Sequence, residues 1–254
     1  MTGVQTCALP ICIVKVKVLP GEGTLTGLYM PGVDPGKLVS IDHWGNNKWQ
    51  RLDYAFTGCE HMELKATDTP DLSEVTGADG LKYMFWGCME MTDLHDKMGT
   101  WDVSKIKNMR GMFGMTYHFN RNIGSWDVGA VTDISNMFIY ATGFNQPIGI
   151  WNVSKVTDMR NMFNGATAFN QPLANWDVRK STNMDSMFMQ ATAFDQSLGK
   201  WKPFGSTSMK GMFAYSGMSC TNYSSTLYDW AKNVDSLKPN VPMTLQDKIG
   251  RAHV

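Results

Sequence analysis

The apolar residues of the chain recur with a period of 25 residues. Five tryptophans keep this spacing from Trp101 to Trp201. An apolar residue follows each tryptophan by eight positions, and a Met-Phe pair follows it by eleven and twelve positions, as in Met212-Phe213. A fixed period of this length is typical of proteins in which each repeat buries its apolar face only by stacking on its neighbours. The pattern predicts a solenoid of the α/β class.

Each repeat is predicted to contain a short helix followed by a short parallel β-rung. In the repeat that begins at Trp151, Thr157 is a favourable N-cap, and apolar residues follow it at helical spacing up to Ala166. Residues 169–173 are too short for a helix and contain Pro172, so they are predicted to be extended. The predicted interior of this repeat consists of Trp151, Val153, Val156, Met159, Met162, Phe163, Phe169 and Leu173.

The array is predicted to begin before the most regular repeats. Residues 52–59 and 81–88 share the spacing of the later Met-Phe segments, with three extra residues inserted before Leu81. Together with the five regular repeats they give about seven coils, and the repeat solenoid is assigned to residues 44–220. Insertions in such an array are expected in loops on one face.

The segments on either side of the array follow other patterns. Residues 12–43 include an alternating apolar and charged stretch, so they are predicted to be a β-rich N-terminal remnant or cap. Residues 221–248 are predicted to be a C-terminal cap and an irregular tail. Within them, Leu227, Trp230 and Ala231 stand at helical spacing and predict an amphipathic cap helix, since the end of an array must cover its core.

Both ends of the chain look artificial. The segments 5–11 and 249–254 can be encoded by DNA strings that are reverse complements over their shared length, and these strings resemble a common sequencing adapter. Residues 1–11 and 249–254 are therefore interpreted as adapter scars and left out of the fold prediction. The natural chain is expected to extend beyond both ends.

Composition narrows the function classes only slightly. The 23 basic and 23 acidic residues balance, so no overall field attracts nucleic acid. No apolar run approaches the roughly 18 residues of a membrane helix, and no direct membrane span is expected in this fragment. Cys59 and Cys88 occupy matching places in two Phe-x-Gly-Cys motifs. They are interpreted as buried free thiols, with a stacked, disulfide-bonded pair as the alternative.

The repeats resemble a known family of surface proteins. Residues 152–163 and the motif Ala168-Phe-Asn-Gln-Pro-Leu173 are similar to repeats of the BspA-type leucine-rich-repeat surface proteins and the related repeats of mycoplasma lipoproteins. The resemblance covers about residues 37–231, and Arg121, Asn152 and Asp195 depart from its pattern. It implies a leucine-rich-repeat-like array of bacterial origin, displayed on the cell surface or secreted. It also implies adhesion or other contacts with an extracellular protein or glycan, without catalysis.

Two rows of residues recur with the period, one of tryptophans and one of polar residues. Each could recognise a ligand or could serve only to stabilise the fold. The tryptophans from Trp101 to Trp201 suggest a carbohydrate platform, but tryptophan within an apolar periodic set is more often core. The second row is a polar one that suggests a ligand-reading surface, although repeated amides also satisfy backbone groups between coils. Its members are Asn120, Asn145, Gln146, Asn170, Gln171, Asp195 and Gln196.

The positions that the repeat leaves variable supply the predicted ligand-binding residues. Basic residues recur four and nine positions after the tryptophans and are expected to line one exposed edge, interrupted by Ala130, Ser135 and Asp185. Such an edge suits an acidic partner, and a merely solvated face is the alternative. The predicted residues are Lys105, Arg110, Lys155, Arg160 and Lys210.

No catalytic, cofactor-binding or metal-binding residues are predicted. The histidines fall in different contexts without a nucleophile at recognisable spacing, and no cysteine spacing suggests a metal. The array is expected to be a monomeric, non-catalytic binding module that acts in adhesion. A structural spacer of a larger surface protein is the alternative, and a carbohydrate-active enzyme would need carboxylates clustered in one coil.

Overall fold

A computed structural model describes residues 27–28, 40–203 and 205–232. The adapter-like ends, most of the predicted β-rich segment 12–43 and the predicted irregular tail lie outside the described residues. Three strands of two residues each form a parallel sheet in the order β1 (Ser40–Ile41), β2 (Glu63–Leu64) and β3 (Thr92–Asp93). Ser40 pairs with Glu63, and Glu63 pairs with Thr92.

A separate row of isolated parallel bridges, one per repeat, runs through the residues that follow β3. The bridged residues stand seven positions after each tryptophan, at Asn108, Asp133, Asp158, Asn183 and Ser208. The sequence instead placed the parallel rung at residues 169–173, and that placement is wrong, because this segment carries no bridge. Pro172 within it has no N–H group to donate to a ladder.

The helix predicted over residues 157–166 is also wrong, because this segment is a series of turns. Alternate N–H groups from Met159 to Gly165 donate to carbonyl groups of the next repeat. The N–H groups of residues 162, 164 and 166 donate three residues back within their own repeat. Asn161 and Gly165 have φ angles of 53° and 72°, which no α-helix contains. A helix would use all its N–H groups internally and leave none to join the repeats.

Aromatic rings fill the interior in columns that follow the period. Phe113, Phe138, Phe163, Phe188 and Phe213 stack face to face, with successive centroids 5.5–5.9 Å apart. Phe56 and Phe85 extend this column toward the N-terminus. The eight residues predicted to form the interior of the Trp151 repeat are all at most 3% exposed, so that prediction is confirmed.

Helix α1 (Cys220–Ala231) lies where the sequence places an amphipathic helix. Its N-cap is Ser219, whose hydroxyl accepts a hydrogen bond from the N–H of Asn222 at 3.2 Å. Trp230 packs near Phe213, with centroids 6.4 Å apart, and donates its indole N–H to the carbonyl of Leu198 at 2.9 Å. The helix thus lies against the last repeat.

Cys59 and Cys88 are both buried free thiols. The thiol of Cys88 donates to the carbonyl of Phe56 at 3.1 Å. Burial raises the pKa of Cys59 to about 11 and raises the pKa of Cys88 well above its ordinary value. Both thiols are therefore protonated at neutral pH.

Candidate ligand-binding surface

The polar row between the repeats forms a ladder of side-chain amides. The side-chain oxygen of Asn145 accepts from the backbone N–H of Asn170 and from the side-chain amide of Gln171, each at 2.9 Å. The same two bonds recur from Asn120 to the repeat after it, and from Asn170 to the repeat of Asp195. These amides satisfy backbone groups where the extended segments have no strand pairing.

The last position of this ladder is occupied by helix α1. The carboxylate of Asp195 accepts from the N–H of Ser219 at 2.7 Å and from the side-chain amide of Asn222 at 2.9 Å. Because the ladder oxygens only accept, a carboxylate replaces the amide of Asn170 without loss of a bond. The row thus links repeats to one another and to the helix.

The tryptophan column is core, so the carbohydrate-platform interpretation of it is wrong. The five tryptophans from Trp101 to Trp201 are 1–4% exposed. The indole N–H of Trp126, Trp151, Trp176 and Trp201 donates to a backbone carbonyl of the preceding repeat at 2.8–3.1 Å. All five rings are buried, and the indole donors of these four are already used.

The two lysines four positions after the tryptophans differ in their surroundings. Lys105 is exposed and donates to the carbonyl of Ser73 at 3.2 Å. Hydrogen bonds from the hydroxyl and N–H of Ser104 lower the pKa of Asp102, and the charge of Lys105 lowers it further. Lys155 is exposed as well, and its ammonium has no hydrogen bond or ion pair among the described residues. An ionised carboxylate therefore offsets the charge of this row at Lys105.

The basic residues nine positions after the tryptophans differ in how their charges are used. Arg160 forms an ion pair with Asp158 at 2.6 Å. The N–H of Lys210, whose side chain is exposed, donates to the carboxylate of Asp185 at 2.7 Å. Arg110 instead donates to the phenol oxygen of Tyr83 at 2.8 Å. Its terminal nitrogens have no partner among the described residues.

Three aromatic residues beside Arg110 interrupt the polar surface of the turns. We call Tyr54, Tyr83 and Trp86 the aromatic cluster. Tyr54 is 39% exposed, and the other two rings are half-buried. The rings of Tyr54 and Tyr83 stack with centroids 5.0 Å apart, and Trp86 meets Tyr83 edge to face at 5.3 Å. Arg110 lies over Tyr83 at 5.8 Å from its centroid.

Glycines of the next repeat make room for this cluster. A Cβ atom on Gly111 would lie 2.5 Å from the ring of Tyr83, and one on Gly114 would lie 2.3 Å from the ring of Trp86. Neither distance is compatible with a side chain, so the two rings lie directly over the backbone of these glycines.

The repeat pattern indicated Arg110 as a candidate residue but none of the three aromatic residues beside it. The available signal was a departure from the repeat, since Tyr54 and Tyr83 stand where the later repeats carry Gly111, Asn136, Asn161, Ser186 and Gly211. Every one of these residues has a positive φ angle. Glycine and asparagine tolerate this conformation, whereas an aromatic residue does so at a cost.

Comparison with known proteins gives one result. The family model described as "Mycoplasma protein of unknown function, DUF285" matches residues 50–157 and, a second time, residues 144–241. No curated protein and no solved structure matches the chain. Within the described ranges, no helix is both long enough and apolar enough to cross a membrane.

The family match and the repeat describe the same part of the molecule. The two matched ranges together extend from residue 50 to residue 241, which is more than half of the chain. They contain all five tryptophans of the 25-residue period and helix α1. The chain is therefore a repeat protein that belongs to the Mycoplasma family DUF285.

Proposed function

We propose that the chain is a non-catalytic binding module of the BspA type, displayed on the cell surface or secreted, which acts in adhesion to an extracellular protein or glycan. The proposed architecture is a leucine-rich-repeat-like solenoid of about seven coils. Parallel bridges join the regular coils, and side-chain amides join the coils from Asn120 to Asp195. This architecture rests on the hydrogen bonds between residues 25 positions apart. The surface location rests on the resemblance to BspA-type proteins and mycoplasma lipoproteins.

The main observation in support is that one backbone scaffold presents different side chains from repeat to repeat. Nine positions after each tryptophan the chain carries Arg110, Ser135, Arg160, Asp185 and Lys210 in turn. The residues that precede them by two positions are bridged in the same way in each repeat. A constant core with variable turn residues suits recognition, because the surface changes without a change of fold.

Binding of the full chain to immobilised extracellular-matrix proteins and to a glycan array tests this proposal. We expect saturable binding to at least one of these ligands, weakened by substitutions on the turn surface and unchanged by substitutions elsewhere on the exposed surface. No detectable binding to either set of ligands would favour the structural spacer. For a spacer, no substitution of an exposed residue should change binding. Turnover of a polysaccharide would instead favour the carbohydrate-active enzyme.

A further inference from the structure

We infer that the aromatic cluster and Arg110 form a binding site for a saccharide that carries a carboxylate. The inference rests on the proposed binding function and names the site and the ligand class. The exposed parts of Tyr54 and Trp86 supply apolar surface for the C–H face of a sugar ring, and Tyr83 packs against both rings and contacts Arg110. The guanidinium of Arg110 supplies paired donors for a carboxylate.

Two of the three polar groups of the cluster are free, in contrast with those of the buried tryptophans, and the third, the phenol oxygen of Tyr83, accepts from Arg110. The indole N–H of Trp86 and the phenol group of Tyr54 make no hydrogen bond to any described residue. The indole groups of the tryptophan column are instead used inside the core. Partly exposed rings with free polar tips can contact a ligand that is both apolar and hydroxylated, as a sugar is.

The charge beside the rings favours an anionic ligand. Lys82 lies 5.7 Å from the centroid of Tyr54, but its ammonium forms an ion pair with Asp79. Arg51 is likewise paired with the buried Asp53. Arg110 forms no ion pair among the described residues, although the charges of Asp133 and Asp158 act on it from the next repeats. Its guanidinium remains charged at all relevant pH values. It is the cation of this group that is available to a carboxylate.

The size of the cluster favours a saccharide over a protein. Its three rings are separated by only 5.0 and 5.3 Å. A stable protein interface buries about 800 Å² on each partner, which is much more than three partly buried rings expose. One or two sugar rings need no larger surface than this.

The two tyrosines of the cluster have positive φ angles, as do Tyr140 and Tyr215 outside it. Tyr54 and Tyr83 have φ angles of 58° and 54°. This left-handed conformation costs an L-residue with a Cβ atom about 1–2 kcal/mol. The later repeats carry glycine, asparagine or serine at the same position.

Titration of the full chain with three saccharides tests the inference by ligand-observed NMR. The ligands are 3′-sialyllactose, digalacturonate and neutral lactose; the first two distinguish a sialic acid from a uronic acid as the source of the carboxylate. We expect at least one acidic saccharide to bind at least tenfold more tightly than lactose. Arg110→Gln should reduce its affinity to that of lactose, and Tyr54→Ala should weaken both acidic and neutral binding.

The control variant is Arg121→Gln, which removes an arginine outside the cluster and restores the residue of the polar row. Its affinity for the acidic saccharide should equal that of the unchanged chain, and circular dichroism should show every variant folded. Equal affinity for acidic and neutral saccharides, or acidic binding that survives both Arg110→Gln and Tyr54→Ala, would overturn the inference. So would self-association that Tyr54→Ala abolishes, because the cluster would then join two copies. If the chain bound a matrix protein or a glycan of the array and neither Arg110→Gln nor Tyr54→Ala weakened that binding, the inference would be overturned. The proposed function would stand, with its site elsewhere on the surface.

Discussion

At the scale of single residues, the side-chain oxygen of Asn145 illustrates how the repeats are joined without strands. It holds one backbone N–H and one side-chain amide of the following repeat. Each bond contributes about 0.5–1.5 kcal/mol, and a partly buried donor that loses its partner costs more. The amide nitrogen of Asn145 contributes nothing to these contacts, so only the acceptor matters.

Asn145→Ala should therefore lower the free energy of unfolding by about 1–3 kcal/mol, because it leaves two donors without an acceptor. Asn145→Asp is the matched control. It keeps the acceptor, as Asp195 does at the same position of a later repeat, and should stay within about 0.5 kcal/mol of the unchanged chain. Urea unfolding at pH 7 measures both values. A loss in Asn145→Asp as large as that in Asn145→Ala would show that the ladder needs the amide itself.

The residue scale also shows what the sequence could reveal about the surface. The spacing of Trp151 and Phe163 identifies the interior, since burial repeats in every unit. The pairing of Arg160 with Asp158 could not be read from the same spacing, because both residues are polar and variable. The contact of Arg110 with Tyr83 could not be read from this spacing either, because it joins residues from two repeats that differ in length. The predicted basic edge therefore stays a prediction.

At the scale of elements, the spacing of apolar residues correctly predicted helix α1 but wrongly predicted a helix within the repeats. Leu227, Trp230 and Ala231 stand three and four residues apart in a helix. Met159, Met162, Phe163 and Ala166 have the same kind of spacing in a series of turns. The left-handed residues Asn161 and Gly165 decide between the two outcomes. Apolar spacing carries no information on φ, and asparagine alone does not exclude a helix.

Trp230→Ala tests how far helix α1 stabilises the last repeat. Trp230 is 3% exposed, and its removal leaves the carbonyl of Leu198 without its indole donor. We expect the free energy of unfolding to fall by about 3–5 kcal/mol, with faster amide hydrogen exchange in residues 198–203 and 205–214. Tyr228→Ala, at a position of the same helix that is 64% exposed, should change stability by less than about 0.5 kcal/mol. Unchanged exchange in Trp230→Ala would mean that the repeat holds without the helix.

At the scale of the whole molecule, contacts run from each repeat to the next. The bridge at Asp158 joins Asp133 on one side and Asn183 on the other, and the phenylalanine column follows the same order. Stability in such a molecule is approximately a sum over repeats and the contacts between neighbours. Damage to a central repeat should therefore affect both of its neighbours more than the distant ends.

Trp151→Ala removes core contacts from a repeat in the middle of the array. Trp151 is 3% exposed, stacks on Trp176 at 6.5 Å and donates to the carbonyl of Ile123. We expect a loss of about 3–5 kcal/mol, with hydrogen exchange fastest in residues 126–201. The adjacent Ile150 is 82% exposed, and Ile150→Ala should stay within about 0.5 kcal/mol. A uniform rise in exchange along the described chain would indicate a single cooperative unit instead.

The one-residue bridges that recur every 25 positions also give the repeats a constant spacing. Parallel neighbours are separated by about 4.8 Å, so each unit inserted or removed by recombination within the gene changes the height of the stack by that step. The aromatic cluster belongs to the early, irregular units and helix α1 to the last one. The number of regular units between them therefore sets how far the cluster stands from the helix, and length variants of the gene would move it in equal steps while every core contact stays the same.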